Sequence, residues 1–285
     1  LESGMPTSQE MMQLMLDSVE ATRVEGAGER VFRAAVTGSQ ADDAMRLAYR
    51  TILARIAAVD VAGTFVQRGQ KPCKPVSFEL VSRRLSDAAD AALTAALAVA
   101  CAQVYDADEE PARLAVLAMG KCGAQELNYI SDVDVIFVAE PADPKATRWA
   151  GEFINIGTRV FFEVDAALRP EGKSGPLVRT LDSYRQYYAK LADTWEFQAL
   201  LRARPVAGDE TLEPESQAAE AVYLGLCAWD SSGDRDTGFP SGERNTREAL
   251  IWMNHASSPS KFPRHPLLHG EAPCTIPCLR KTDGK

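Results

Sequence analysis

The spacing of apolar positions along the chain changes several times, and each change marks an element. Met11, Met12, Leu14, Met15 and Leu16 crowd into a short amphipathic helix whose methionines read as packing. After Asp42, the residues Met45, Tyr49, Ile52, Ile56 and Val59 recur at steps of three and four, the signature of a helix with one buried face. Gly63 and the stretch from Gly69 to Pro75 break it. A second helix is predicted from Phe78 to Val104, with Leu85, Ala89, Leu93, Leu97, Ala100 and Val104 on one stripe and many alanines that favour helix and close packing. Leu114 to Met119 is short enough for a buried strand and stops at Gly120 and Gly123. A second strand runs from Ser131 to Val138. Its alternation sends Val133 and Val135 to the core and puts Asp132 and Asp134 together on the opposite face.

The turn between Pro141 and Pro144 leads to a helix over about 145–162, apolar at Trp149, Phe153, Ile156 and Val160. Residues 163–168 read as a short strand ended by Pro170. Thr180 is a natural N-cap for a helix with Leu181, Tyr184, Tyr188 and Leu191 on one side. Trp195, Phe197, Leu200 and Leu201 are assigned to the core.

The chemistry concentrates in residues 113–140. A glycine turn lets backbone approach an anion closely, and two carboxylates on one strand face repel unless a cation lies between them. Magnesium takes carboxylate and phosphate oxygens together, so Gly120 and Gly123 followed by Asp132 and Asp134 point to nucleotide chemistry. A solvated surface pair is the bland alternative. A strand, a crossover helix and a returning strand would bring Asp165 beside the first two, giving a three-carboxylate cradle.

The run Gly120-Lys121, Gly123, Glu126-Leu127-Asn128-Tyr129, Ser131-Asp132 and Asp134 resembles the signature of bacterial glutamine synthetase adenylyltransferases, which also act as adenylyl-removing enzymes. Their catalytic core is similar to that of the DNA polymerase β superfamily. Asp165, Leu168-Arg169-Pro170, Gly172 and Ser174-Gly175-Pro176-Leu177-Val178 resemble a second signature, and residues 194–209 a closing motif, so the likeness covers about 42–209. Ala124 and Ala167 depart from it, standing where the family often has glycine and usually has arginine.

The resemblance implies an α+β fold: a polymerase β-like nucleotidyltransferase core, with a small mixed sheet and flanking helices, plus an N-terminal helical segment. The boundaries expected are a helical segment at 1–107, the core at 108–210 and a poorly structured tail at 211–285. It implies magnesium, or manganese, on Asp132, Asp134 and Asp165, which are also the catalytic residues. Gly120, Lys121, Gly123, Ser131 and Arg169 would bind nucleotide phosphates, with a surface salt bridge as the alternative for Arg169. Arg202 and Arg204 would complete a positive wall or stay solvated. The implied partners are glutamine synthetase, ATP or ADP with phosphate, and a PII-type signal protein. The reaction adds AMP to a tyrosine or removes it by phosphorolysis to ADP. The wording of residues 126–129 is similar to the amino-terminal, adenylyl-removing domain. The other reading is a catalytically silent regulatory module of the same fold.

Composition narrows the field. With 285 residues, 46% hydrophobic and 25% charged, the chain can bury a sizeable core. A net charge of -9 disfavours a general nucleic-acid binder. No apolar run is expected to reach membrane-spanning length, no secretory signal opens the chain, and six scattered cysteines fit reduced thiols, so a cytoplasmic location is expected. A start at Leu1 suggests a processed chain or a fragment. Beyond Thr211, breakers and prolines dominate and the family likeness is lost, as a truncated gene or a change of frame would produce. His265, His269, Cys274 and Cys278 lie close together there, but their spacing does not follow a zinc knuckle.

Overall fold

In the computed structural model, residues 4–62 and 76–212 are described. The glycine and proline break after the second predicted helix falls largely outside them. So do the tail beyond 212 and, within it, His265, His269, Cys274 and Cys278.

Helix α1, Ser8–Ser18, begins at Thr7. The Thr7 hydroxyl accepts from the Glu10 amide while Glu10 reaches back to the Thr7 amide, satisfying two donors that a helix start leaves open. Met11, Met15 and Leu16 are buried. A two-stranded antiparallel ribbon follows, β1 at Thr22–Arg23 and β2 at Phe32–Arg33. Strands of two residues leave no alternation to detect, so the sequence pattern missed them. Helix α2, Gly38–Ala62, buries Met45, Ile52 and Ile56 on its predicted face, with Tyr49 and Val59 partly covered.

Helix α3, Phe78–Val104, departs from the single stripe expected of it. Every residue from Ala91 to Cys101 is buried. Alanines on all sides let α1, α2 and the sheet approach it closely, and a helix apolar all round belongs inside a core. It also corrects the expectation about membrane-spanning runs. Its mean hydropathy of 1.4 over 18 residues makes it long and apolar enough to cross a membrane, yet 83% of that window is buried within the protein.

The sheet has five strands. They are β3 at Arg113–Ala118, β4 at Val133–Glu140, β5 at Val164–Asp165, β6 at Val178–Arg179 and β7 at Arg204–Gly208. Strand β3 runs antiparallel to β4 and to β7, whereas β5 and β6 lie parallel to β4, so the sheet is mixed. Helix α4, a single turn at Gly120–Gly123, joins the sheet's two long strands. Helix α5, Pro144–Val160, carries β4 over to β5. Asp143 caps it, proline occupies its first turn, and Trp149, Phe153, Ile156 and Val160 are buried as predicted.

Alternation along β3 and β4 divides the core. Leu114, Val116, Ala118, Val133, Val135 and Phe137 face α1, α2, α3 and α5 in one large cluster that reaches from Met5 to Ala207. Ala115, Leu117, Ile136 and Val138 face a smaller cluster with Tyr184 and Tyr188 of helix α6, Leu181–Lys190. Leu191 and Trp195 depart from the expected core. Leu191 sits just past the end of α6, at 69% exposure, and Trp195 on helix α7, Thr194–Leu200, at 52%. Helix α7 instead buries Glu196, whose carboxylate accepts from Tyr187 and from the Asp193 amide.

Candidate active site

The site is assembled at the start of β4. Asp134 is the second residue of that strand, and its register partner across the parallel pair is Asp165 of β5. The chain leaving β3 is tied to the same point, since the Met119 amide donates to the Asp134 carbonyl at 2.8 Å. Gly120 then adopts φ +53°, and a Cβ placed on it would stand 2.6 Å from Asp134 Oδ2. Only glycine lets the backbone turn left-handed and lie flat against the carboxylate. Helical geometry leaves the amides of Gly120, Lys121 and Cys122 without an acceptor inside α4.

Electrostatically the site carries surplus negative charge. Burial pushes the Asp134 carboxyl above its ordinary range, Asp132 and Asp165 push it further, and Lys121 alone pulls it down. Asp132 lies just before β4 rather than on its ladder and is exposed. Asp165 Oδ1 accepts from the Ala167 amide at 2.8 Å, a local turn that ends β5 after two residues, where a longer strand was expected. The expected three-carboxylate cradle is not closed. Among the described residues, no three His, Cys, Asp or Glu side chains are grouped so as to hold a metal. The donor chemistry still fits a hard divalent cation, which is commonly held by one or two carboxylates with substrate phosphates completing the shell.

The expected phosphate ligands separate into two groups. Gly120 and the exposed Lys121 border Asp134. Gly123, Ser131 and Arg169 are committed elsewhere. Gly123 donates its amide to Met119 and packs so tightly on the Arg202 carbonyl that a Cβ would overlap it. Ser131 donates its hydroxyl to Asn128 Oδ1 at 2.9 Å, fixing the turn before β4. Among the described residues Arg169 forms no surface ion pair. It donates to the carbonyls of Ala166, Lys173 and Gly175 and so ties its own loop together. Arg202 pairs with Glu126 at the surface, at 3.1 Å.

Arg204 is neither wall nor solvated. It donates to both oxygens of Asp90 on α3, at 2.6 and 3.0 Å, and to the carbonyls of Cys122 and Gly123. Sequence reasoning passed over Asp90. The signal was a carboxylate set between two alanine pairs, a charge that must find a partner once buried. A cavity of about 510 Å³ adjoins the site on the helical side of the sheet, lined by Tyr49, Phe161, Phe162, Tyr129, Ile130 and Asp132 among others. Gly120, Asp134 and Asp165 are not part of its wall.

The family model for glutamate-ammonia ligase adenylyltransferase matches residues 9–219. The chain belongs to this family. Within it, the bifunctional glutamine synthetase adenylyltransferase/adenylyl-removing enzyme of Corynebacterium efficiens is 55% identical over 228 residues, covering 73% of this chain and 22% of that protein. The enzyme of the same name from Corynebacterium diphtheriae is 53% identical over 283 residues, covering 88% and 26%. The one from Nocardia farcinica is 57% identical over 189 residues, covering 66% and 18%. The chain therefore spans no more than about a quarter of the length of these adenylyltransferase relatives. Family likeness starts well before the residue 42 that the motifs marked. An alignment covering 88% of the chain also takes in residues beyond 219, so the tail is not wholly foreign to the family.

Proposed function

We propose that this chain carries a nucleotidyl-transfer centre that acts on glutamine synthetase, removing AMP from a tyrosine by phosphorolysis to ADP. The observation that carries the reading is the pairing of Asp134 with Asp165 against the left-handed Gly120 turn, in a chain of the adenylyltransferase family. That pairing sets carboxylates next to backbone donors, the combination a phosphoryl group with its counter-ion needs.

In this reading Asp134 and Asp165, with Asp132 beside them, would hold magnesium or manganese together with the substrate's phosphates, and the ion would supply positive charge against that building on the phosphorus and leaving oxygen. The chain's own groups do the rest. The Gly120 and Lys121 amides and the Lys121 ammonium orient the phosphates of the nucleotide, and Asp134 fixes where the reacting phosphorus sits relative to them. Removal is favoured over addition by the wording of residues 126–129. A PII-type signal protein is a further partner in this reading.

The test is ADP release from adenylylated glutamine synthetase supplied with phosphate and magnesium, with adenylylation from ATP followed in parallel. Asp134→Asn is expected to abolish release. Equal activity in the variant and the native chain would remove the assigned role of Asp134. If neither protein is active but both bind glutamine synthetase, the silent-module reading holds instead.

A further inference from the structure

The buried pair Asp90 and Arg204 joins three elements that are remote along the chain: α3, the α4 turn and β7. The pair is largely enclosed, with 15% of the Asp90 side chain and 24% of the Arg204 side chain exposed. Arg204 spends a planar fork of donors on four acceptors. Two are the Asp90 oxygens, and the other two are the Cys122 carbonyl at 3.0 Å and the Gly123 carbonyl at 3.3 Å. Those carbonyls close the far end of the turn whose near end lies against Asp134. The same turn is pressed from beside β7 by the Arg202 carbonyl on Gly123. Nothing else among the described residues donates a side-chain bond to either carbonyl.

We propose that Arg204, held by Asp90, is a positioning residue for the nucleotide: it clamps the carbonyl end of the Gly120–Gly123 turn so that the amide end is fixed in front of Asp134 and Asp165. A lysine in its place would still neutralise Asp90, yet a single ammonium cannot span Asp90 and two backbone carbonyls in the manner of a guanidinium fork. A pair that served only to neutralise charge would tolerate that exchange. A clamp would not. The proposal rests on the nucleotidyl-transfer reading above.

The experiment measures binding of ADP with magnesium, the nucleotide the proposed reaction forms, to the 285-residue chain and to two variants, Arg204→Lys and the double variant Asp90→Leu/Arg204→Met. Replacing both charges with apolar groups of similar size can leave a fold intact where removing one partner does not. Circular dichroism and the unfolding midpoint check folding. Amide hydrogen exchange at residues 120–123 reports the turn directly, without reference to any ligand.

Both variants are expected to stay folded, to exchange faster at 120–123 than the native chain while β3 and β4 are unchanged, and to bind ADP about 100-fold more weakly, the order of effect that a misplacement of about 1 Å can carry. Native exchange in the turn, or native ADP affinity in either folded variant, overturns the clamp and leaves the functional reading standing. A native chain that binds no ADP, with the turn loosened in the variants, overturns the functional reading and with it the role assigned to the clamp.

Discussion

At the scale of single residues, Asp134 and Gly120 separate what the fold wants from what the site wants. Asp134 is held above its ordinary pKa, first by burial and then by Asp132 and Asp165. Its folded pKa exceeds its unfolded one, so between the two the native state holds more protons and stability falls as pH rises through that window; the deficit then persists to neutral pH. Asp134→Asn is therefore expected to unfold at a higher temperature than the native chain at neutral pH without metal, with the gap shrinking as pH drops below the carboxylate range. Scanning calorimetry at several pH values reads this, and a variant less stable than the native chain at neutral pH would contradict it. Gly120→Ala tests the other side of the contact. The left-handed turn costs an L-residue roughly 1–2 kcal/mol, and the new methyl meets Asp134 Oδ2 at 2.6 Å. Lower thermal stability together with loss of ADP binding is expected, read by the unfolding midpoint and by titration.

At the scale of elements, legibility followed length and period. Helices α2 and α5 and strands β3 and β4 were visible because their apolar positions repeat often enough to define a face, and Phe153 and Trp149 fell where the spacing put them. The ribbon at Thr22–Arg33 and the two-residue β6 left no period to read, whereas β5 was read as a strand but ends sooner than expected. Residue type misled at Trp195, because a large aromatic is usually core, whereas in α7 the buried position is taken by Glu196, satisfied by Tyr187. The candidate site was half legible. The glycine turn and the aspartates carry their chemistry in residue type, but the commitments of Gly123, Ser131 and Arg169 to nearby backbone and side chains depend on turns that spacing does not specify. These assignments predict a contrast. Phe153→Ala empties a fully buried site packed edge-on to Phe137 and is expected to cost about 3–5 kcal/mol, while Trp195→Ala is expected to stay within about 0.5 kcal/mol of native. Urea unfolding of the two variants reads the difference.

At the scale of the whole molecule, the sheet depends on the helices that precede it in the chain. An outline drawn from sequence sets residues 1–107 apart from a core at 108–210. Yet the apolar cluster on the helical side of the sheet includes Met15, Ile52, Leu93 and Leu97 together with Val116, Val135 and Phe137. The Trp149 indole donates to the Leu97 carbonyl at 3.0 Å, and Thr94 donates to the Val206 carbonyl at 3.4 Å, so α3 is bonded to α5 and to β7 as well as packed against them. Asp90 on α3 is also the buried counter-charge of Arg204. A fragment of residues 108–212 would expose one whole face of β3 and β4 to water and leave Arg204 without its carboxylate. Losing several fully buried side chains of about 1.5–3 kcal/mol each exceeds the roughly 5–15 kcal/mol by which a domain of this size is stable. The fragment is expected to show no cooperative heat-absorption peak in calorimetry and rapid exchange at the β3 and β4 amides, whereas residues 4–212 should unfold in one sharp transition. A cooperative transition in the shorter fragment would mean that α1–α3 are an accessory to a sheet already stable without them, and the clamp through Asp90 would then have to be imposed on a finished core rather than built with it.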